Sequence, residues 1–513
     1  MRLTAFIGMF AAALACAGPV AVTYSPTLLP LRLDRESHVV GKLTLVAEGT
    51  LTGFTFATDG ALGLVSVEAG KETVATVDVP RGHVRLPVEI ALTGRKQEFA
   101  VRCQIASDML LTSRARIDLV SVEIAGKSHA VEHTSSYLRP AVRVRDAGDE
   151  GAKGHRIPAL VRSKAGTLIA AYDVRYTGRR DLQGHMDIGL NRSSDNGQTW
   201  SSRIIALDMG TYGGLPEAYN GVSDAALLVD EKTGRIFCFG LWMHGVNDAE
   251  GNWQGAKGWR HQWNKNGSMQ GFEVKGTSQF LMSFSDDDGL TWSMPRNLTR
   301  MVKRNPEWFL YAPAPGNGIT LKDGTLVVPT QGRNQHRGEF STIMISKDRG
   351  ETWHTGMPAN DTTAGQFANE CAVVELSDGA LMLNARDPSR KKSRGVFITR
   401  DRGETWEMHP TDHKALIEPT CMASLIRHET GDGSALLLFA NPNSKTSRSR
   451  MTIKASRDEG MTWPPAHQLL LDQKGGAYSS LTSIGTDSVG ILYESSQAEL
   501  LFQRVQIAEI LGN

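Results

Sequence analysis

The chain has 513 residues, with 56 Lys plus Arg against 55 Asp plus Glu and a formal net charge of +1. At 40% hydrophobic and 22% charged residues it has the composition of a globular protein, and its length calls for two or three domains. The balanced charge supplies no bulk field to recruit nucleic acid or a membrane surface, so recognition of an anion must come from locally placed arginines.

The first residues read as an export signal. Arg2 precedes an apolar run from Leu3 to Leu14, and Ala15-Cys16-Ala17 offers a small-residue cleavage site. The run is too short to span a membrane. Residues 1–22 are therefore expected to be a signal peptide of an exported protein, periplasmic or secreted, with lipid attachment at Cys16 as the alternative. The five cysteines, at 16, 103, 238, 371 and 421, show no C-x-x-C spacing, and Cys238 and Cys371 lie in apolar text that suits buried thiols.

Between residues 23 and 135 short alternating segments recur: 42–46, 54–58, 73–79, 84–92, 98–105 and 117–124. Gly, Asp and Pro stand between them, which predicts an antiparallel β-sandwich, either carbohydrate-binding or a structural cap.

From residue 136 to 513 one phrase is written five times. Its pattern, S/T-x-D-x-G-x-T-W, occupies 193–200, 285–292, 346–353, 399–406 and 456–463. The Asp carboxylate and Ser/Thr hydroxyls can bond the backbone of a tight turn, Gly supplies a positive φ, and Trp covers the turn with a large ring. Five copies of one catalytic site in a chain are implausible, so this Asp-box is read as structural. A second element, a turn followed by an apolar strand, occurs six times, at 166–172, 234–241, 324–329, 379–383, 433–439 and 490–493. Six such units predict an all-β, six-bladed β-propeller following the N-terminal β-sandwich. A polar insertion at 243–277 carries Trp253, Trp259 and Trp263, suited either to stacking on a sugar or to holding the loop down.

With the Asp-boxes set aside, the informative residues are charges written into apolar strand text, where solvation does not explain them. Arg156 lies in His155-Arg156-Ile157-Pro158, Glu370 before Cys371-Ala372-Val373, and Arg386 after Leu383-Asn384-Ala385. Arg448 and Arg450 precede Met451-Thr452-Ile453, Tyr478 precedes Ser479-Ser480-Leu481, and Glu494 follows Ile491-Leu492-Tyr493.

Together these positions resemble the sialidase (exo-α-sialidase, neuraminidase) family of bacterial glycoside hydrolases. His155-Arg156-Ile157-Pro158 is similar to the family's F/Y-R-I-P motif, the five Asp-boxes match, and the likeness runs from about Arg139 to the C-terminus. The resemblance implies that Arg156, Arg386 and Arg448 clamp a substrate carboxylate, with Arg448 preferred to Arg450 because of its distance from the strand that follows. It implies Asp181 as acid/base, Tyr478 as nucleophile with Glu370 as its base, Glu494 as the acid orienting Arg156, Arg175 as a basic neighbour of the sugar, and Asp224 as a further ring contact. His155 stands where Phe or Tyr is usual, which bears on packing beside Arg156. No cofactor or metal is implied. The implied partners are sialylated glycans, acted on by a monomer. A trans-sialidase, including an intramolecular one, and a non-catalytic sialoglycan-binding propeller are the alternatives.

Elementary electrostatics agrees with these roles. A carboxylate on the anomeric carbon calls for fixed, planar, always-charged donors, which Arg supplies better than Lys. A carboxylate nucleophile would meet that group as a like charge, costing on the order of 4 kcal/mol at about 4 Å and an effective dielectric near 20. A neutral tyrosine avoids the repulsion but needs a base to take its proton.

Overall fold

The computed structural model describes residues 20–512 apart from 61, 79–81, 107, 133–136, 183, 215, 244–268 and 275–276. Residues 1–19 of the expected signal peptide, Cys16 included, lie outside the described residues, as does most of the Trp-bearing insertion, whereas Ala21 and Val22 at the end of that expected signal open the strand Ala21–Pro26. The described residues are all-β, with two four-residue α-helices and short 3-10 turns. No helix among them is long and apolar enough to cross a membrane. Cys103, Cys238, Cys371 and Cys421 are free and buried.

The chain divides into two compact units. One comprises Met1–Thr27, Arg35–Asp108 and Arg114–Leu138; the other comprises Leu28–Asp34, Met109–Ser113 and Arg139–Asn513. The first unit holds two antiparallel sheets. A five-stranded sheet has the order Ala21–Pro26, His38–Val46, Gln97–Ile105, Leu62–Ala69, Glu72–Asp78. A four-stranded sheet has the order Lys127–Ala130, Ala115–Ile124, Glu48–Gly60, Gly82–Thr93. Alternation sends Leu43, Leu45, Val65, Val67, Phe99 and Val101 to the buried face of the first sheet and Leu51, Phe54, Phe56, Leu119 and Val122 to that of the second. Phe54 and Phe99 meet edge to face at 6.1 Å between ring centroids. The strand Leu62–Ala69 was not among the expected segments; Gly63 interrupts its alternation.

The second unit contains six sheets, read here in chain order by their strands. The first is Gly154–Arg162, Leu168–Arg175, Met186–Ser193 and Ile204–Leu207. The second is built on Val222–Val229, Ile236–Met243 and Ser278–Ser285, and the third on Leu310–Pro313, Leu326–Arg333 and Glu339–Ser346. The fourth runs through Cys371–Glu375, Leu381–Ala385 and Gly395–Thr399, and the fifth through Ser424–Glu429, Ala435–Pro442, Met451–Ser456 and Gln468–Asp472. The sixth takes Ser479–Ile484, Ser488–Tyr493 and Leu500–Gln506 from the C-terminal end and completes itself with Pro140–Arg145, Val142 pairing with Phe502.

Each sheet buries both faces, so its strands read as nearly continuous apolar runs; all eight residues of Leu168–Arg175 are buried. Separate apolar clusters fill the spaces between successive sheets. Ile188 and Leu190 of the first pack with Leu227 and Trp242 of the second, and the series closes where Leu492 and Phe502 of the sixth pack with Leu168 and Tyr172 of the first. First strands also lie against one another: Gly154–Arg162 touches both Val222–Val229 and Ser479–Ile484. The Asn317 side chain ties them together, donating to the carbonyls of Leu160 at 2.7 Å and Leu481 at 3.0 Å.

The six turn-and-strand segments of the sequence are the second strands of these sheets. In the sixth, Gly490 falls inside the strand Ser488–Tyr493, and the glycine of the preceding turn is Gly485, at φ 69°. The five Asp-boxes join third to fourth strands in the first five sheets. The sixth needs none, because its fourth strand arrives from residue 140. In the box at 285–292 the Asp287 carboxylate accepts from Ser285 Oγ at 2.8 Å, Thr291 N at 2.9 Å and Thr291 Oγ1, and Ser285 Oγ accepts from Gly289 N at 2.9 Å. Two consecutive residues are left-handed in every box, the glycine and the residue before it, as in Asp288 at φ 62° and Gly289 at φ 81°. Of the five Trp rings only Trp353 is fully buried; the other four are half-buried. Trp406 also differs in donating to Met357 O at 2.9 Å, across to the preceding sheet.

These bonds hold the Asp287 carboxyl down at about 2, chiefly through the Thr291 hydroxyl and N–H. A depressed carboxyl stabilises the fold above its unfolded value near 4 and loses that contribution as pH falls towards 2. Asp287→Ala should cost about 1 kcal/mol, exposure keeping the figure low. Thermal melts should show a constant gap from wild type above pH 4 that narrows towards pH 2, with any activity of the protein unchanged.

Candidate active site

Chain ends of the strands in the second unit meet around a cavity of about 400 Å³. Arg156 lies at a β-bulge between Arg156 and Ala159 that puts Ile157 at φ 60°. For a β-branched residue that conformation is strained and has to be held by its surroundings. Glu494 holds it: its Oε1 accepts from Ile157 N at 3.1 Å and from Arg156 Nε at 3.0 Å, while Oε2 accepts from Arg156 Nη2 at 3.1 Å. Glu494 in turn is fixed opposite Tyr478, its N–H donating to Tyr478 O at 3.0 Å and its carbonyl accepting from Ala477 N at 3.2 Å. Burial opposes charge on Arg156, but the Glu494 carboxylate, Tyr478 and Asp181 together raise its pKa.

Glu370 and Arg386 are neighbours across the first two strands of the fourth sheet, Arg386 N donating to Glu370 O at 2.8 Å. Arg386 Nη1 donates to Glu370 Oε2 at 2.6 Å and to the Tyr478 hydroxyl oxygen at 2.9 Å. The Tyr478 hydroxyl donates to Glu370 Oε1 in a short hydrogen bond. Burial, then the Glu370 charge, push the Tyr478 pKa well above that of a free phenol. The resting phenol is therefore neutral, with a carboxylate already in place to accept its proton.

The cations Arg156 and Arg448 both lie 5.5 Å from the Tyr478 ring centroid. Arg448 stands on the loop between two strands of the fifth sheet, with Nη2 3.4 Å from Thr420 O. It lines the cavity, and Arg450 does not.

Asp181 is carried on the loop that leaves the second strand of the first sheet, and its side chain is half exposed, at 52%. Its Oδ1 lies 2.9 Å from Arg175 Nη1 and 3.4 Å from Arg156 Nη1. Asp224 repeats the strained geometry of Ile157, at φ 63° in a bulge between Ser223 and Ala226 of the second sheet. Burial and then the charges of Asp173, Glu370 and Asp181 push its carboxyl well above the usual range.

Of the nine residues singled out in the sequence, Arg156, Asp181, Asp224, Glu370, Arg386, Arg448 and Tyr478 line the cavity. Arg175 and Glu494 stand behind it as supports for Asp181 and Arg156. His155 is fully buried, packing edge to face on Tyr172 at 5.5 Å, with its backbone N–H donating to Glu499. No Asp-box residue reaches the cavity.

Sequence reasoning missed the third-sheet wall. Gln331 and Arg333 close the second strand of that sheet, and Glu339 opens its third, bonding Arg333 at 3.1 Å and accepting from Asn369 Nδ2 at 2.9 Å. It also missed Asp173. A signal for Arg333 was present: Arg175, Arg333 and Arg386 each end or follow the second strand of their repeat, and aligning the repeats on that strand would have exposed the pattern. Among the described residues, no group of three or more His, Cys, Asp or Glu side chains is placed to hold a metal ion.

A strand-built repeat protein whose cavity combines arginines, carboxylates and a buried Tyr–Glu pair defines a class, and comparison with known proteins agrees. The BNR repeat-like domain family matches residues 166–491. A sialidase from Bacteroides fragilis is 41% identical over 420 residues, covering 80% of this chain and 74% of that protein. A sialidase from Micromonospora viridifaciens is 35% identical over 68% of this chain, which spans half that relative's length. Among solved structures, a Hadza microbial sialidase superposes with a TM-score of 0.84 at 34% identity, covering 95% of this chain and 99% of its own. The chain belongs to the sialidase family of glycoside hydrolases.

Proposed function

We propose that this protein is a retaining exo-α-sialidase that hydrolyses terminal α-linked sialic acids from glycoproteins, glycolipids and oligosaccharides through a tyrosyl glycosyl-enzyme. The observation that carries the reading is the bonded cluster Tyr478–Glu370–Arg386 on a cavity wall shared with Arg156, Arg448 and Asp181.

Arg156, Arg386 and Arg448 receive the sugar carboxylate. Their charge-assisted bonds each contribute about 1.5–3 kcal/mol. Tyr478 Oη attacks the anomeric carbon as Glu370 takes the phenol proton, and Asp181 gives its proton to the departing glycosidic oxygen. Asp181, now a carboxylate, then removes a proton from water as that water attacks the same carbon, and Tyr478 leaves with its proton returned from Glu370. Two displacements at one carbon give net retention, and a tyrosine in place of the carboxylate nucleophile is where sialidases depart from the two-carboxylate rule. Asp224 flanks the sugar ring in this reading, Arg175 supports Asp181 from behind the cavity, and Glu494 orients Arg156.

The six sheets, their cyclic packing and the strand from residue 140 in the last of them support a six-bladed propeller over residues 136–513. The two sheets of the first unit support a β-sandwich over 23–135. Export after removal of residues 1–22 and a monomeric state complete the proposal.

Tyr478→Phe should lower turnover of an aryl sialoside by several orders of magnitude in a steady-state assay; near wild-type turnover would take the tyrosine out of the mechanism. Arg448→Ala should raise KM for α2,3-sialyllactose about tenfold or more, for loss of one charge-assisted contact, whereas Arg450→Ala should stay within about twofold. Equal effects of the two substitutions would show that the carboxylate clamp is misassigned.

A further inference from the structure

Asp173 lies on the second strand of the first sheet, fully buried and outside the cavity lining. Its carboxylate accepts three hydrogen bonds. Oδ2 takes Arg175 Nη2 at 2.8 Å and Ser223 Oγ at 2.8 Å, and Oδ1 takes the backbone N–H of Asp224 at 3.1 Å. Burial raises its pKa, and the Arg175 guanidinium and then the Ser223 hydroxyl work against that by favouring the ionised carboxylate. The same Arg175 uses its other terminal nitrogen on Asp181 at 2.9 Å and on Arg179 O, in the loop that carries Asp181, at 2.8 Å.

The two arginines that touch Asp181 are thus built alike. Arg156 is held from behind by both oxygens of Glu494, and Arg175 is held from behind by Asp173. A general acid must carry its proton until the leaving oxygen takes it, and an arginine at 2.9 Å favours losing that proton. An arginine already bonded to a carboxylate on its far side still holds the loop but exerts a weaker net field.

We propose that Asp173 is a positioning and charge-balancing residue for Asp181: by holding Arg175 from behind and fixing the Ser223–Asp224 bulge, it keeps Asp181 in place and able to deliver a proton. The inference rests on the exo-sialidase reading. Among the described residues, the charged groups facing Asp181 include Arg156 and Arg175 directly, with Asp173, Asp224 and Glu494 behind or beside them.

The experiment measures kcat/KM against pH for the full chain on α2,3-sialyllactose, whose leaving group needs a proton, and on 4-nitrophenyl α-sialoside, whose leaving group does not. Asp173→Asn should move the alkaline limb on sialyllactose to lower pH by about half a unit to one unit, the effect of deleting one nearby negative charge. It should cost about tenfold or more on sialyllactose and only a few-fold on the nitrophenyl substrate. Asp173→Glu, which keeps the charge, should leave the limb in place. Should Asp173→Asn fail to fold, Ser223→Ala, which removes one bond to the Asp173 carboxylate while keeping its charge and Arg175, should cost more on sialyllactose than on the nitrophenyl substrate. An unmoved limb in Asp173→Asn, or equal losses on both substrates from an active wild type, overturns the role of Asp173 while leaving the sialidase reading intact. A folded wild type that releases no sialic acid from either substrate overturns both.

Discussion

Arg156 and Glu494 are 338 positions apart, yet the Nε and Nη2 of the guanidinium and the backbone N–H of Ile157 are all bonded to that single carboxylate. Much of the cavity depends on this contact. It stabilises a left-handed isoleucine that would not stand alone, turns Arg156 towards the cavity, and ties the first sheet to the strand end carrying Tyr478. A partly buried ion pair of this kind contributes little to net stability once desolvation is counted. Its value lies in geometry, because the guanidinium has one orientation that satisfies all three bonds.

The electrostatics around it repeat one device, a buried arginine matched by a carboxylate. Arg386 is matched by Glu370, Arg175 by Asp173, and Arg394 by Glu418 in a fully buried pair at 2.7 Å. The Glu418 carboxylate also receives Asp387 N at 2.8 Å, next to Arg386, and Arg394 donates to Cys421 O beside the carbonyl that faces Arg448. The arginines of the cavity are thus supported from a second layer, so that a carboxylate-bearing ligand would meet donors already in position. Such preorganisation spares the cost of ordering long side chains at the moment of binding.

Much of the site was legible because charge in apolar text is costly and therefore informative. Arg156, Glu370, Arg386 and Tyr478 announced themselves by their neighbours in the chain. Asp173 did not, although it is as deeply buried, because a single Asp before Val-Arg is unremarkable until Ser223 and the Asp224 N–H are brought against it by the next sheet. Gln331 and Glu339 escaped for a related reason: uncharged or exposed-looking residues at strand ends acquire meaning only when a cavity forms beside them.

By itself the sequence determined what is settled within a few residues: the Asp-box turns, whose Ser, Asp and Gly satisfy one another across eight positions, and the six buried second strands, whose apolar runs can belong only to sheets covered on both faces. Tertiary structure alone decided why six sheets carry five Asp-boxes, since the last sheet borrows Pro140–Arg145 through the pairing of Val142 with Phe502 and has no third-to-fourth turn to write. It also decided which charges share a cavity. Local hydrogen bonds are set by neighbours in the chain, whereas the matching of Arg156 with Glu494, of Tyr478 with Glu370 and of Arg175 with both Asp173 and Asp181 exists only once sheets far apart in sequence pack their apolar faces together.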